Sequence, residues 1–192
     1  MKTAIFLSCL LLSSSMMVKD HRSSATAASP VYKTSSAKRS FTLTPTEPIS
    51  IMISKSKYEL YVYDAKGWFA TYPVVFGNKS LEDKRVEGDR NTPEGTFHIV
   101  SKRIHEKWDR FMALDYPTRE SMEKFNERKR RGEIPTNASP GGGIGIHGTW
   151  PHEDYAIDRY DNWTNGCISL KRQDIEDLYS YVPIGTPVTI RR

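Results

Sequence analysis

The feature that most limits what this chain can become is the stretch 49–76. Three runs rich in aromatic and β-branched residues, Ile49-Ser-Ile-Met-Ile-Ser54, Tyr58-Glu-Leu-Tyr-Val-Tyr-Asp64 and Trp68-Phe-Ala-Thr-Tyr-Pro-Val-Val-Phe76, are separated only by Lys55-Ser-Lys57 and Ala65-Lys-Gly67. Such side chains pack well on a pleated surface. Connections of three residues can join only antiparallel neighbours, because a parallel pair needs a crossover of a dozen residues or more. The domain therefore opens as an antiparallel meander. Further strands are expected at 96–101, 144–148 and 187–191, with a weaker one at 111–114.

Two helices interrupt them. Residues 118–131 carry Thr118 and Glu120 at the start, Arg128-Lys-Arg-Arg131 at the end, and Gly132 and Pro135 beyond, an order that suits the helix dipole. The apolar positions are only Met122 and Phe125, which predicts a surface helix. Residues 173–181 predict a short amphipathic helix. The fold class is mainly β, of the α+β kind.

The first residues are of another kind. Lys2 precedes an apolar run from Ala4 to Leu12, and small residues follow at 25–28. This pattern predicts a secretory signal or, uncut, an N-terminal membrane anchor over 1–28, with Cys9 as a loose candidate for lipidation. Residues 29–48, poor in large apolar side chains, read as a flexible tether, and 49–192 as one folded domain. The formal net charge is +5. Residues 1–28 hold three basic and one acidic residue, so without them 25 basic face 22 acidic side chains, a net +3. The basic run 128–131 follows three glutamates on the same helix, so it reads as a solvated face rather than a nucleic-acid site.

Export also isolates one thiol. Without Cys9, Cys167 stands alone and no internal disulfide can form. His147 lies twenty residues upstream among glycines, at the end of a predicted strand, and Cys167 is placed just before a predicted helix. Thiol chemistry needs a thiolate, hence a base or a positive field near the sulfur. The turn Asn165-Gly166 could direct backbone N–H groups toward an oxyanion beside it. The plain alternatives are a small buried thiol and a hydrogen-bonded structural histidine, and spacing alone does not choose between them. A metal site of His147, His152 and Cys167 with Asp154 or Asp158 does not match the usual zinc spacings, and no metal or cofactor is expected.

Three ordered segments carry a family resemblance. Ile146-His-Gly-Thr149 followed by Trp163-Thr-Asn-Gly-Cys-Ile-Ser-Leu170 resembles the signature of YkuD-type L,D-transpeptidases, a histidine followed after some sixteen residues by Ser/Thr-His-Gly-Cys. Gly88-Asp-Arg-Asn-Thr-Pro-Glu-Gly95 resembles the family's Gly-Asp-x-x-Thr-Pro-x-Gly loop, and Gly185-Thr-Pro-Val188 its closing strand. One departure stands beside the nucleophile: Asn165 replaces the second histidine.

The resemblance implies a β-sandwich of mixed sheets with short surface helices, and a cysteine in a cleft beneath a mobile lid. It implies Cys167 as nucleophile, His147 as general acid and base, and the Gly148 carbonyl as orienter of the imidazole. Asn165 and Gly166 would supply oxyanion donors, and Thr149, Trp150, Trp163 and Thr164 would meet substrate. Tyr155 and Tyr160 would shape the cleft or belong to the core. The implied partners are peptidoglycan stem peptides in the periplasm or envelope, and carbapenems predicted to acylate Cys167. Water as acceptor would make the enzyme an L,D-carboxypeptidase or peptidase. A non-catalytic wall-binding module is the remaining reading.

Overall fold

The structure, a computed structural model, describes Met1, Tyr32, residues 34–40 and residues 44–192. Apart from Met1, the expected signal or anchor lies outside the described residues. Inside the expected tether, Ala37–Lys38 (β1) pairs antiparallel with Thr71 and Ala70, and the Tyr32 ring meets those of Tyr58 and Tyr160 at 5.2 and 4.7 Å. The compact unit accordingly begins ahead of Ile49. Aromatic packing by Tyr32 and an ion pair between Lys38 and Asp177 hold this segment down. Neither partner could be read from local sequence.

The meander forms as expected. Ser50–Ser54 (β2), Glu59–Asp64 (β3) and Gly67–Pro73 (β4) pair antiparallel in sequence order. Gly67 takes φ +98° in the second turn, a conformation that favours glycine. Gly95–His105 (β5) and Asp109–Leu114 (β6) then make a hairpin longer than the sequence suggested. A register shift between Ile99 and Ser101 leaves Val100 half-exposed as the extra residue. Bulges of this kind bend a strand, and β5 pairs with the last strand before the bend and with β6 after it.

Arg119–Arg130 (α1) starts at the Thr118 cap, whose hydroxyl accepts the Ser121 N–H at 3.2 Å. Only Phe125 of this helix is buried, so it lies on the surface as expected. Gly145–Gly148 (β7) follows, then the short helix Tyr155–Asp158 (α2) and the three-residue strand Ile168–Leu170 (β8). Arg172–Tyr181 (α3) buries Ile175 and Leu178 completely. At about 1.5–3 kcal/mol for each fully buried aliphatic side chain, packing rather than helix propensity holds α3. Pro187–Arg191 (β9) closes the chain.

The strand order is β1-β4-β3-β2-β9-β5-β6-β7-β8, with β2–β9 and β7–β8 parallel and the rest antiparallel. β8, at one end of this order, also meets the chain just after β4, near the other end. Val75 N–H donates to the Ser169 carbonyl at 3.0 Å, and Ser169 N–H returns a bond to Val75 at 2.9 Å. The sheet thus folds back on itself around a core that includes Ile53, Leu60, Phe69, Tyr72, Phe97, Ile146 and Ile168. This is the sandwich of mixed sheets that the resemblance implied.

Candidate active site

Cross-strand register builds the site before any side-chain detail. Arg103 of β5 lies opposite Phe111 of β6, Phe111 opposite His147 of β7, and His147 opposite Ser169 of β8. Cross-strand partners project to the same side, and the two-residue period along a strand adds Ala113, two residues beyond Phe111, to that face. The same period, continued back from Ser169, places Cys167 there as well. A cavity of about 700 Å3 opens on this face, lined by Arg103, Trp108, Phe111, Ala113, Gly143, His147, Trp150, Trp163, Thr164, Asn165 and Cys167.

Cys167 does not precede a helix directly, as the sequence reading had it. It precedes β8, whose residues are buried between β7 and the Val75 bridge. A three-residue strand buried on both sides shows no alternation, so nothing local marks it. The sulfur therefore draws on backbone groups rather than a helix terminus. Its S–H faces the Gly143 carbonyl at 3.5 Å, and it takes a backbone hydrogen bond from Gly145. Burial pushes the Cys167 thiol above its ordinary pKa, opposed by that Gly145 bond and by the charge of Lys84.

His147 is 1 % exposed. The Trp108 ring stacks on it at 4.6 Å and the Trp163 ring meets it edge-on at 5.4 Å. Nδ1 lies 2.8 Å from the Gly148 carbonyl. A carbonyl can only accept, so Nδ1 carries the proton and Nε2 keeps its lone pair. Burial pushes the imidazole down to about 4, despite the opposing Gly148 bond. Near neutrality the cavity is therefore lined by a neutral thiol and a neutral, singly oriented imidazole.

The turn carrying Cys167 is held by three segments that meet at Gly77. The Phe76 carbonyl accepts Trp163 N–H at 3.0 Å and Thr164 N–H at 3.2 Å, and Asn162 Oδ1 accepts Phe76 N–H at 2.7 Å. Arg90 Nε donates to the Thr164 carbonyl at 3.2 Å. A Cβ on Gly77 would sit 2.2 Å from the Arg90 carbonyl oxygen and 2.8 Å from that of Thr164. Asp89 ties the Gly88–Gly95 loop by accepting from Lys84 Nζ at 2.8 Å and from the N–H groups of Arg85, Val86 and Asn91. Burial works against the charge of Asp89, but these bonds hold its carboxyl below the usual range. The glycine-rich loop that resembled a family motif thus acts as scaffold for the turn that carries Cys167.

Among the residues expected at the site, His147, Trp150, Trp163, Thr164, Asn165 and Cys167 line the cavity. Thr149 does not. It is fully buried, and its hydroxyl is turned to the Asp154 carboxylate. The Thr164 hydroxyl is also committed, donating to the Cys167 carbonyl at 2.8 Å and accepting Gly166 N–H at 3.2 Å. Gly166 adopts φ +118°, and a Cβ there would sit 2.7 Å from the Asn91 carbonyl oxygen, so the turn requires glycine. Tyr160 packs with Tyr32 and Tyr58, and Tyr155 lies under Arg159, both away from the cavity lining. His152 is exposed and outside that lining, and among the described residues no cluster of three His, Cys, Asp or Glu side chains is placed to hold a metal. Trp108, Phe111 and Arg103 were missed. The signal for Arg103 and Phe111 was the alternation through the β5–β6 hairpin, readable only once its turn, which carries Trp108, is located.

The family model for YkuD, the L,D-transpeptidase catalytic domain, matches residues 48–190. No curated protein sequence matches the chain. Among solved structures, the helical cell shape determining protein Pgp2 from Campylobacter jejuni is 21% identical with TM-score 0.54, over 74% of this chain and 46% of that one. Bd1075 of Bdellovibrio bacteriovorus is 18% identical with TM-score 0.51, over 77% and 50%. L,D-transpeptidase 3 from Mycobacterium tuberculosis, in complex with a faropenem-derived adduct, is 16% identical with TM-score 0.50, over 75% and 60%. The chain spans about half the length of the first two. These structures share the fold, and the match over 48–190 decides the family: the chain belongs to the L,D-transpeptidase catalytic-domain family.

Proposed function

We propose that the chain is an exported cysteine acyltransferase acting on peptidoglycan stem peptides. The observation that carries this reading is the cavity shared by Cys167 and His147, with Nδ1–H committed to the Gly148 carbonyl so that Nε2 alone is left to take a proton. In the proposed reaction Nε2 takes the thiol proton as sulfur attacks the carbonyl at the L-centre of the diamino acid. The tetrahedral intermediate collapses by breaking the C–N bond, and the imidazolium returns its proton to the departing D-Ala amine. The thioester is then resolved by an acceptor amine, or by water.

Gly166 N–H is engaged by the Thr164 hydroxyl, so the oxyanion donors in this reading are the N–H groups of Asn165 and Cys167. Arg90 holds the Thr164 carbonyl. Across a trans peptide the Asn165 N–H points the opposite way. Asn165 itself lines the cavity as an amide, able to hydrogen-bond but not to shuttle protons, which leaves proton transfer to His147. The domain limits belong to the proposal too: a signal or anchor over 1–28, and a wall-acting domain whose family match starts at residue 48.

The test is activity of Cys167→Ala and His147→Ala on purified muropeptides. Cys167→Ala should be inactive, and His147→Ala should lose roughly 10²–10⁴ in kcat, the usual worth of a positioned general base. Full activity in either variant overturns the assignment. Weighing the products with and without an added amine separates a cross-linking enzyme from a carboxypeptidase.

A further inference from the structure

We propose that Arg103 recognises a free carboxylate of the donor peptide and thereby positions the scissile carbonyl over Cys167; this rests on the acyl-donor reading above. The register places Arg103, Phe111 and His147 side by side on three neighbouring strands, all projecting to the cavity face. Arg103 is an exposed residue at the edge of this row. Its guanidinium nevertheless lies over the Phe111 ring, 4.8 Å from the centroid. That ring in turn lies parallel to the imidazole of His147, 6.0 Å away with 12° between planes.

The other cations of the hairpin have different employment. Arg110 is paired with Asp109 at 2.5 Å. Lys102 donates to the carbonyls of Tyr179 and Val182, each at 2.6 Å. Lys107 lies over Trp150 at 5.3 Å. Arg103 lines the cavity itself, and none of the residues lining that cavity is acidic. Since the imidazole there is neutral near pH 7, Arg103 is the permanent positive charge of the lining. A guanidinium presents a planar fork of donors that fits a carboxylate with two parallel hydrogen bonds. The cation–π contact with Phe111 limits where that fork can lie.

In a stem whose diamino acid carries a second carboxylate, two such groups lie near the attacked carbonyl. One ends the departing D-amino acid, three bonds from the attacked carbonyl. The other sits at the far centre of the diamino acid. Both would be held by the same chemistry, so the donors used in the test separate them.

Steady-state kinetics of the full chain would be measured on three donors: a tetrapeptide stem, the same stem with its C-terminal carboxylate amidated, and the stem with its diamino-acid side-chain carboxylate amidated. One amidated donor should lose roughly ten- to a hundredfold in kcat/KM with the wild type, chiefly through KM. Arg103→Gln should lose the same factor on the unmodified stem and nothing further on that amidated donor. Arg103→Lys should recover part of the loss. Alkylation of Cys167 by the neutral probe iodoacetamide at pH 9 should be unchanged in both variants, which a general disturbance of the site would not allow.

The inference is overturned if Arg103→Gln depresses all three donors alike, or leaves the unmodified stem unaffected. If the wild type turns over none of them, the acyl-donor reading fails and this inference with it.

Discussion

A buried histidine kept neutral should make the fold sensitive to mild acid, by an amount that the structure sets. The His147 imidazole is pushed from its ordinary 6.5 down to about 4 by burial between Trp108 and Trp163. In the unfolded chain it takes up a proton as pH falls through 6.5, whereas in the folded chain it does not until about 4. The unfolded state therefore binds more protons throughout this window, and stability is lost as pH drops across it. At 1.36 kcal/mol per pKa unit, the loss is about 2 kcal/mol at pH 5 and about 3 kcal/mol at pH 4, flattening below. Urea unfolding at pH 7, 6, 5 and 4, followed by tryptophan fluorescence, would be run on the wild type and on His147→Gln. Asp64, Asp89 and Glu127, whose carboxyls sit below their usual range, also withdraw stability in acid, but equally from both proteins. The difference between the two curves should shift against the wild type by about 3 kcal/mol from pH 7 to 4. A difference constant within about 0.5 kcal/mol would refute the neutral, buried base. A shift in favour of the wild type would indicate a stabilised imidazolium instead.

The remaining predictions concern the groups around this histidine. Gly77→Ala forces a Cβ to 2.2 Å from the Arg90 carbonyl; it should destabilise by about 1–3 kcal/mol or more and depress kcat, and a variant with wild-type Tm and turnover would show that the three segments do not meet there. Trp108→Ala uncovers one face of the imidazole, so the acidic limb of kcat/KM should move up from near 4 toward 6.5, and an unmoved limb would remove Trp108 from the account. Burial raises the Cys167 thiol, so the rate of its alkylation by iodoacetamide should keep climbing about tenfold per pH unit up to pH 9. A plateau already reached below pH 7 would mean a standing thiolate–imidazolium pair.

What could be read in advance followed from local repetition. The meander, the capped helix α1, strand β7 and the closing strand β9 all carry period or punctuation within a few residues of themselves. The missed elements are those whose partners lie far away. β1 is two residues long and is stabilised by β4 and Asp177. β8 is buried on both sides and shows no alternation. The hairpin turn between β5 and β6 has neither glycine nor proline. Its exit residue Asp109 takes φ +63°, a conformation usually left to glycine or asparagine.

The site divides along the same line. Cys167 and His147 were visible because few residues can carry that chemistry. Thr149 was misplaced because Asp154 claims its hydroxyl, a contact across a loop that spacing does not disclose. Arg103 comes to the cavity only through the register of three strands, and Trp108 through a hairpin turn that folds back onto His147, neither of which a single stretch of sequence encodes.

The central claim is that Cys167 is acylated by a peptide stem. Intact-mass spectrometry of the chain, quenched in acid during turnover of a tetrapeptide stem, reads this directly. The account predicts one tripeptidyl adduct per chain, mapped to Cys167, with release of one D-Ala and no adduct on Cys167→Ala. Release of D-Ala by Cys167→Ala, or an adduct mapped to another residue, would contradict it.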